Sequence, residues 1–155
     1  MKGNMAVIAA LQSRAADEAQ LAAQYHLDKL NLKFYGLKSI AKEFSEFGED
    51  CELWLKKVSF RILALGGDPA YSAGAAKTRA DLVAIFQGAT AGESALISAY
   101  NQDGAAARAA GDNGTGHRID HLIKYHERHA EKLEQLSAQL ADLRDSGFKG
   151  AYVAA

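Results

Sequence analysis

The sequence predicts an all-α fold, and three observations support this prediction. The chain of 155 residues is 48% hydrophobic and contains one proline, so long segments can stay helical without interruption. Aromatic residues, which favour strands, make up only 8% of the chain. Apolar residues recur at alternating steps of three and four, which is typical of the buried face of a helix in a bundle. We therefore expect four packed helices in a single domain, residues 1–155.

The composition excludes several classes of function. The formal net charge is −1 and no lysine or arginine block is present, so a nucleic-acid partner is not expected. The single cysteine, Cys51, excludes an intrachain disulfide and fits a reducing compartment. The N-terminal apolar run is too short for a signal peptide, and no run reaches about 18 apolar residues. We expect a cytoplasmic protein that does not associate with membranes.

The first predicted helix covers residues 4–34, with Asn4 as a favourable N-cap. Its apolar face includes Glu18, which lies seven residues from both Leu11 and Tyr25. A carboxylate on a buried face is costly unless it has a cation, a hydrogen bond or a metal as partner. A solvated glutamate is the simpler interpretation, but the inward phase makes Glu18 a candidate functional residue.

The second predicted helix covers residues 38–65. The short connection at Gly36 makes it an antiparallel neighbour of the first helix. Its apolar face carries Cys51 and Trp54. Its charged residues are predicted to form a solvated face: Glu46, Glu49, Asp50, Glu52, Lys56 and Lys57.

Glycines 66 and 67 with Pro69 end the second helix, and a small, polar segment follows to residue 78. About 12 extended residues span about 40 Å, the length of a helix of about 27 residues. This segment is therefore predicted to cross over to the other end of the bundle, so that the third helix, residues 79–110, runs parallel to the second. Glu93 lies on the apolar face of this third helix.

The fourth predicted helix follows a glycine-rich loop at residues 111–116 and covers residues 117–140. His126 and His129 occupy positions on its apolar face where leucine is expected. Histidines at i and i+3 share one face, with Cβ atoms about 5–6 Å apart. Two core histidines with hydrogen-bond partners are the simpler interpretation, and a shared metal is the functional one. Residues 148–155 are predicted to form a short fifth helix.

All four helices thus contribute inward groups near mid-length, and together these form the predicted metal site: Glu18, Cys51, Glu93, His126 and His129. A thiolate with two imidazoles favours zinc, iron or copper over magnesium or calcium. Cys51 can equally be a small apolar core residue.

Five segments carry a family resemblance: Met1-Lys2-Gly3-Asn4, Gln24-Tyr25, Tyr35-Gly36-Leu37-Lys38, the run from Arg61 to Pro69, and Gly147-Phe148-x-x-x-Tyr152. Through these segments the chain resembles the bacterioferritins of the ferritin-like superfamily. The resemblance implies a four-helix subunit with a long crossover between helices two and three and a short C-terminal helix. It also implies a hollow multi-subunit shell, ferrous iron oxidation at a diiron site within each subunit, and haem bound between subunits.

The candidate site departs from the family's pattern on two helices. Glu18 and Glu93 match the two single glutamates, Glu93 after deletion of one preceding residue. On helix two, Cys51 and Trp54 stand in the Glu-x-x-His motif. On helix four, a histidine at position 126 replaces the motif's glutamate.

These departures leave two functions open. The first is an iron-binding or iron-storage subunit with a remodelled ferroxidase site, assembled as a homo-oligomer or with an active bacterioferritin subunit. The second is a ferritin-fold protein without a storage role that binds one zinc or other transition metal, or a small ligand. The position of the family's haem-ligating methionine holds Glu52, a poor axial ligand, so haem is not expected. Whether ferroxidase activity is retained stays open.

Overall fold

The computed structural model describes residues 2–145, with side chains described through residue 142. Within this range the chain forms four α-helices and no strand. The helices are α1 (Met5–Phe34), α2 (Lys38–Ala64), α3 (Leu82–Ala109) and α4 (Asn113–Asp145). This architecture confirms the predicted all-α bundle, whereas the predicted fifth helix at residues 148–155 lies outside the described range.

The directions of the helices follow from the contacts between them. A tight turn at Gly36, whose φ is +81°, reverses the chain between α1 and α2, as only glycine does without strain. Glu18 of α1 contacts Tyr100 of α3, whereas Tyr25, further along α1, contacts the earlier residue Glu93. α1 and α3 are therefore antiparallel, and α2 runs in the same direction as α3.

The long connection between α2 and α3 runs alongside α1. Gln12 Nε2 donates a hydrogen bond to the Asp68 carbonyl at 2.7 Å, and Gln24 Nε2 donates to the Lys77 carbonyl at 2.8 Å. Gln24 Oε1 also accepts from the Lys77 amide at 3.0 Å. The connection thus advances in the direction of α1, which confirms the predicted crossover.

Two helices begin at residues other than those predicted, because aspartates cap them. α3 begins at Leu82 rather than residue 79, since the Asp81 side chain accepts from the Ala84 amide at 2.8 Å. α4 begins at Asn113 rather than residue 117, since Asp112 Oδ1 accepts from the Thr115 amide at 2.9 Å. The glycines at 114 and 116 consequently lie within α4, where the sequence suggested a loop.

The buried face of α4 has the predicted register. His126 is fully buried and His129 is 5% exposed, whereas Glu127 is exposed. Both histidines therefore occupy core positions at which leucine is expected. The core side chains around them come from all four helices, and those of α4 are Ile119, Leu122, Leu133, Leu136 and Leu140.

α3 is long and apolar enough, by length and composition alone, to cross a membrane. The core helix of a water-soluble bundle satisfies the same criteria. In this structure α3 buries Leu82, Phe86 and Leu96 against its neighbours and carries the buried Glu93 near its centre.

Asp112 joins the end of α2 to the start of α4, and its replacement should destabilise the bundle. Arg61 Nη2 donates to Asp112 Oδ1 at 2.9 Å, and Arg61 Nε donates to Thr115 Oγ1 at 2.8 Å. Asp112→Ala removes the cap and the ion pair, so we expect a loss of about 1–2 kcal/mol in the free energy of unfolding, measured by urea denaturation. Asp142→Ala, at an exposed position of the same helix, is the control. Equal stability of the two variants would contradict the capping role.

Candidate metal centre

Three helices place carboxylates and imidazoles together at the centre of the bundle. Glu18, Glu93 and His126 are fully buried. His126 lies between the two glutamates, with Nδ1 2.6 Å from Glu93 Oε2 and Nε2 2.7 Å from Glu18 Oε1. The imidazole of α4 thus bridges a carboxylate from α1 and a carboxylate from α3.

His129 extends this network towards the surface. Its Nδ1 lies 2.9 Å from Glu93 Oε1, and its Nε2 lies 3.0 Å from Asp50 Oδ2. The Asp50 side chain is 50% exposed. The prediction that Asp50 belongs to a solvated face is therefore incomplete, because its carboxylate reaches inward from the edge of α2.

Two buried tyrosines add hydrogen bonds to the glutamates. The Tyr100 hydroxyl donates to Glu18 Oε1 at 2.7 Å, and the Tyr25 hydroxyl donates to Glu93 Oε1. Burial, followed by the charge of the adjacent glutamate, raises the pKa of both tyrosines well above the ordinary value. The hydroxyls therefore stay protonated and act as donors. The sequence does contain a signal for this arrangement, since each tyrosine follows a glutamate of its own helix by seven residues.

The charges in this cluster favour a protonated His126. Burial lowers the pKa of His126, but hydrogen bonds and charge interactions with Glu18 and Glu93 outweigh it and raise the pKa from 6.5 to about 9. Burial raises the pKa of Glu93, but hydrogen bonds from His126 and His129 outweigh it and lower the pKa from 4.5 to about 2. At neutral pH an imidazolium therefore faces an ionised Glu93.

Cys51 is buried beside this cluster, and its thiol interacts with the carboxylate of Glu18. Burial, followed by the charges of Glu18, Glu93 and Asp50, raises the pKa of the Cys51 thiol well above its ordinary value. Cys51 is not part of the group of described residues whose ligating atoms lie within 4.8 Å of one another, and a metal would have to displace the thiol proton before Cys51 could coordinate it. Its surroundings fit the small core residue that the sequence left as an alternative.

Trp54 covers the two histidines. Its ring centroid lies 4.5 Å from that of His126 and 4.8 Å from that of His129. On α4 the ring of Tyr125 stacks on the same indole at 5.4 Å, with an interplanar angle of 9°. Trp54 thereby fills the space beside the two imidazoles.

Within the described residues, one group of three side chains has the geometry to share a metal ion. Glu93, His126 and His129 each offer one ligating atom, and these atoms lie within 4.8 Å of one another. Two imidazoles with one carboxylate are a common donor set for iron and zinc, and leave positions open for other ligands. Glu18 lies outside this group, although it contacts His126 and its Oε2 has no hydrogen-bond partner in the described part of the chain.

The fold and this cluster define the class to which the chain belongs. The profile of the ferritin-like domain matches residues 8–143, so the chain is a member of the ferritin-like family. Among solved structures, the similar ones include several bacterioferritins. No curated protein matches the chain significantly by sequence.

Three of these bacterioferritin structures illustrate the similarity. The Rhodobacter capsulatus protein, described with a metal-free dinuclear site and haem iron, has a TM-score of 0.87 and 24% identity, covering 92% of this chain and 90% of its own. The Mycobacterium tuberculosis protein has a TM-score of 0.86 and 21% identity, with coverage of 92% and 91%. The Desulfovibrio desulfuricans protein, described with a diiron site, has a TM-score of 0.86 and 23% identity, with coverage of 91% and 83%. At these identities the likeness establishes the shared fold.

The protonation of His126 can be measured directly. In metal-free protein, NMR titration should give His126 a pKa near 9, and Glu93→Gln should lower it by about one pH unit or more because one charged partner becomes neutral.

Since the folded-state pKa lies above the ordinary 6.5, the contribution of His126 to stability is complete below pH 6.5 and disappears as pH rises through about 9.

Glu43→Gln is the control for this titration, because Glu43 Oε1 is paired with Lys132 at 3.4 Å, in an ion pair separate from the cluster. A His126 pKa that stays the same in Glu93→Gln would contradict the bridging imidazolium.

Proposed function

We propose that this chain is a metal-handling subunit of the ferritin-like family that binds one transition-metal ion, with iron as the first candidate, through Glu93, His126 and His129. The observation that carries this proposal is the buried group of three ligating atoms within 4.8 Å of one another. A bound iron ion would supply ferrous–ferric redox chemistry, whereas zinc would supply a Lewis acid.

The contacts of the two imidazoles support this ligand set. The Nδ1 atoms of His126 and His129 both face Glu93, whereas their Nε2 atoms face Glu18 and Asp50, respectively. A histidine that binds a metal through one nitrogen commonly donates its other N–H to a carboxylate, which fixes the ring and strengthens the ligand. In this proposal Glu18 and Asp50 position the two ligating rings.

Loading the ion must displace protons. His126 with a pKa near 9 is protonated on both nitrogens at neutral pH, and a ligating imidazole must give up the proton on its coordinating nitrogen. The positive charge lost with that proton is replaced by the charge of the ion. We therefore expect metal affinity to increase with pH up to about 9.

Cys51 and Trp54 on α2 stand at the positions of the family's Glu-x-x-His motif, and both support the binding of one ion rather than two. The Trp54 indole lies against both imidazoles, so its bulk occupies the space adjoining the three ligands. The neutral Cys51 thiol provides neither the charge nor the two oxygens that a bridging glutamate supplies in the family this chain resembles. Ferroxidase activity of this subunit alone should accordingly be weak.

An iron-storage role would require assembly, which we propose occurs in the cytoplasm as a homo-oligomer or together with an active bacterioferritin subunit. Leu30 and Phe34, which stand one turn apart near the end of α1, are 59% and 87% exposed, and this apolar pair supports an association of this kind. We propose no haem ligand at Glu52, since its carboxylate lies 2.9 Å from His26 Nε2.

A second function, a ferritin-fold protein that binds one metal without storage, is supported by the hydrogen bonding of the cluster. His126 pairs with one oxygen of Glu18 and one oxygen of Glu93, and its positive charge would compensate these carboxylates in a metal-free form. The mass of the assembly and its iron content, measured on one sample, separate the two functions. A monomer or dimer with one metal per chain would favour the second.

The ligand assignment can be tested with His126→Gln/His129→Gln. Glutamine retains hydrogen bonding to the buried carboxylates but removes both imidazole ligands, so bound metal should fall from one equivalent per chain to none while the protein stays helical. Elemental analysis after anaerobic loading with ferrous iron measures the bound metal, and circular dichroism measures the helical content. The control is His26→Gln, at a half-exposed histidine outside the cluster. Unchanged metal content in the double variant would refute the assignment.

The obstruction by Trp54 can be tested by restoring the family's motif. Cys51→Glu/Trp54→His should raise bound iron from one to two equivalents per chain and accelerate oxygen consumption, because it adds two ligands and removes the indole. Cys51→Ala/Trp54→Phe has no new ligand and serves as the matched control. An iron content equal to that of the control, in a folded protein, would show that Trp54 does not limit the site.

A further inference from the structure

The beginning of α4 carries a second pair of histidines that the metal centre does not use. His117 and His121 are both exposed and stand one helical turn apart. Their Nε2 atoms lie 3.4 Å from each other, and their rings are nearly perpendicular, with an interplanar angle of 86°. Both side chains therefore direct the same ring nitrogen to one point above the helix.

A hydrogen bond between the rings does not account well for this arrangement. The separation of 3.4 Å between the two nitrogens is longer than the usual range of about 2.7–3.2 Å for a hydrogen bond donated by N–H. An exposed imidazole also has water as an alternative partner.

The same distance matches the requirements of a metal chelate. Zinc binds imidazole nitrogen at about 2.0–2.1 Å, and two such bonds at the tetrahedral angle place the nitrogens about 3.4 Å apart. The i, i+4 spacing on a regular helix holds the two side chains on the same face. Little rearrangement of the rings is therefore needed when an ion binds.

We propose that His117 and His121 form a second metal site, which binds one zinc or copper(II) ion through the two Nε2 atoms and completes its coordination with water. Imidazole suits both metals, and copper(II) binds nitrogen sites more tightly than ferrous iron does. The site is therefore expected to bind copper(II) more tightly than ferrous iron. It shares no ligand with the bundle centre, so it does not depend on the function proposed above.

The charged residues near His117 and His121 do not favour a cation. Arg118 Nη1 donates to the Gly114 carbonyl at 3.3 Å, and Asp120 is paired with Arg108. Arg118 also lines a cavity together with His121 and Lys57. These cationic groups reduce the attraction for a divalent ion, so affinity must come from the two nitrogen–metal bonds rather than from the local field.

The test uses the full-length chain with the central ligands removed, His126→Gln/His129→Gln, so that the surface site is measured alone. Titration calorimetry with zinc should give one equivalent per chain. Adding His117→Gln/His121→Gln should weaken this binding by at least about tenfold, as expected when ligands are lost. Copper(II) paramagnetic resonance should show two nitrogen ligands in the first protein and lose that signature in the second.

His26→Gln in the same background is the matched control, because it removes another histidine with an accessible side chain. It should leave the zinc affinity and the copper spectrum unchanged. A loss of affinity below tenfold in His117→Gln/His121→Gln, or a loss equal to that in the control, would overturn the proposal. Neither outcome depends on whether the central histidines bind metal, because they are absent from every protein compared.

Discussion

The interaction that organises the centre of the bundle is the bridge that His126 makes between Glu18 and Glu93. An ionised carboxylate deep in a protein costs several kcal/mol unless a cation and hydrogen bonds compensate it. The imidazole, with both nitrogens within 2.7 Å of a carboxylate oxygen, provides this compensation. Because its partners come from α1 and α3, the bridge also fixes how far α4 can slide along its neighbours.

Under the proposed function, the centre would have a protonated form and a metal-bound form that use the same side chains. In the first, a proton on His126 carries the positive charge, and in the second the ion does. A glutamate-rich diiron site has little internal cation of its own and depends more strongly on bound metal. The His126 imidazolium and the neutral Cys51 thiol leave less uncompensated negative charge in the centre than carboxylates at the same positions would.

The sequence predicts the fold and the inward direction of Glu18, Glu93, His126 and His129, because alternating steps of three and four specify which face of a helix is buried. It does not predict which buried groups touch, since that depends on the relative height of helices far apart in the chain. The role of Asp50 could not be predicted for a related reason: its position lies on the edge of the buried face, and only the neighbouring histidine draws the carboxylate inward.

Trp54 is the only tryptophan in the chain, and its indole contacts both histidines of the centre. The emission of an indole responds to the charge and polarity of the groups packed against it. The indole is therefore an intrinsic optical reporter, whose fluorescence should differ between the protonated centre and the metal-bound centre of the proposed function. Occupancy can be followed in real time without labelling the protein.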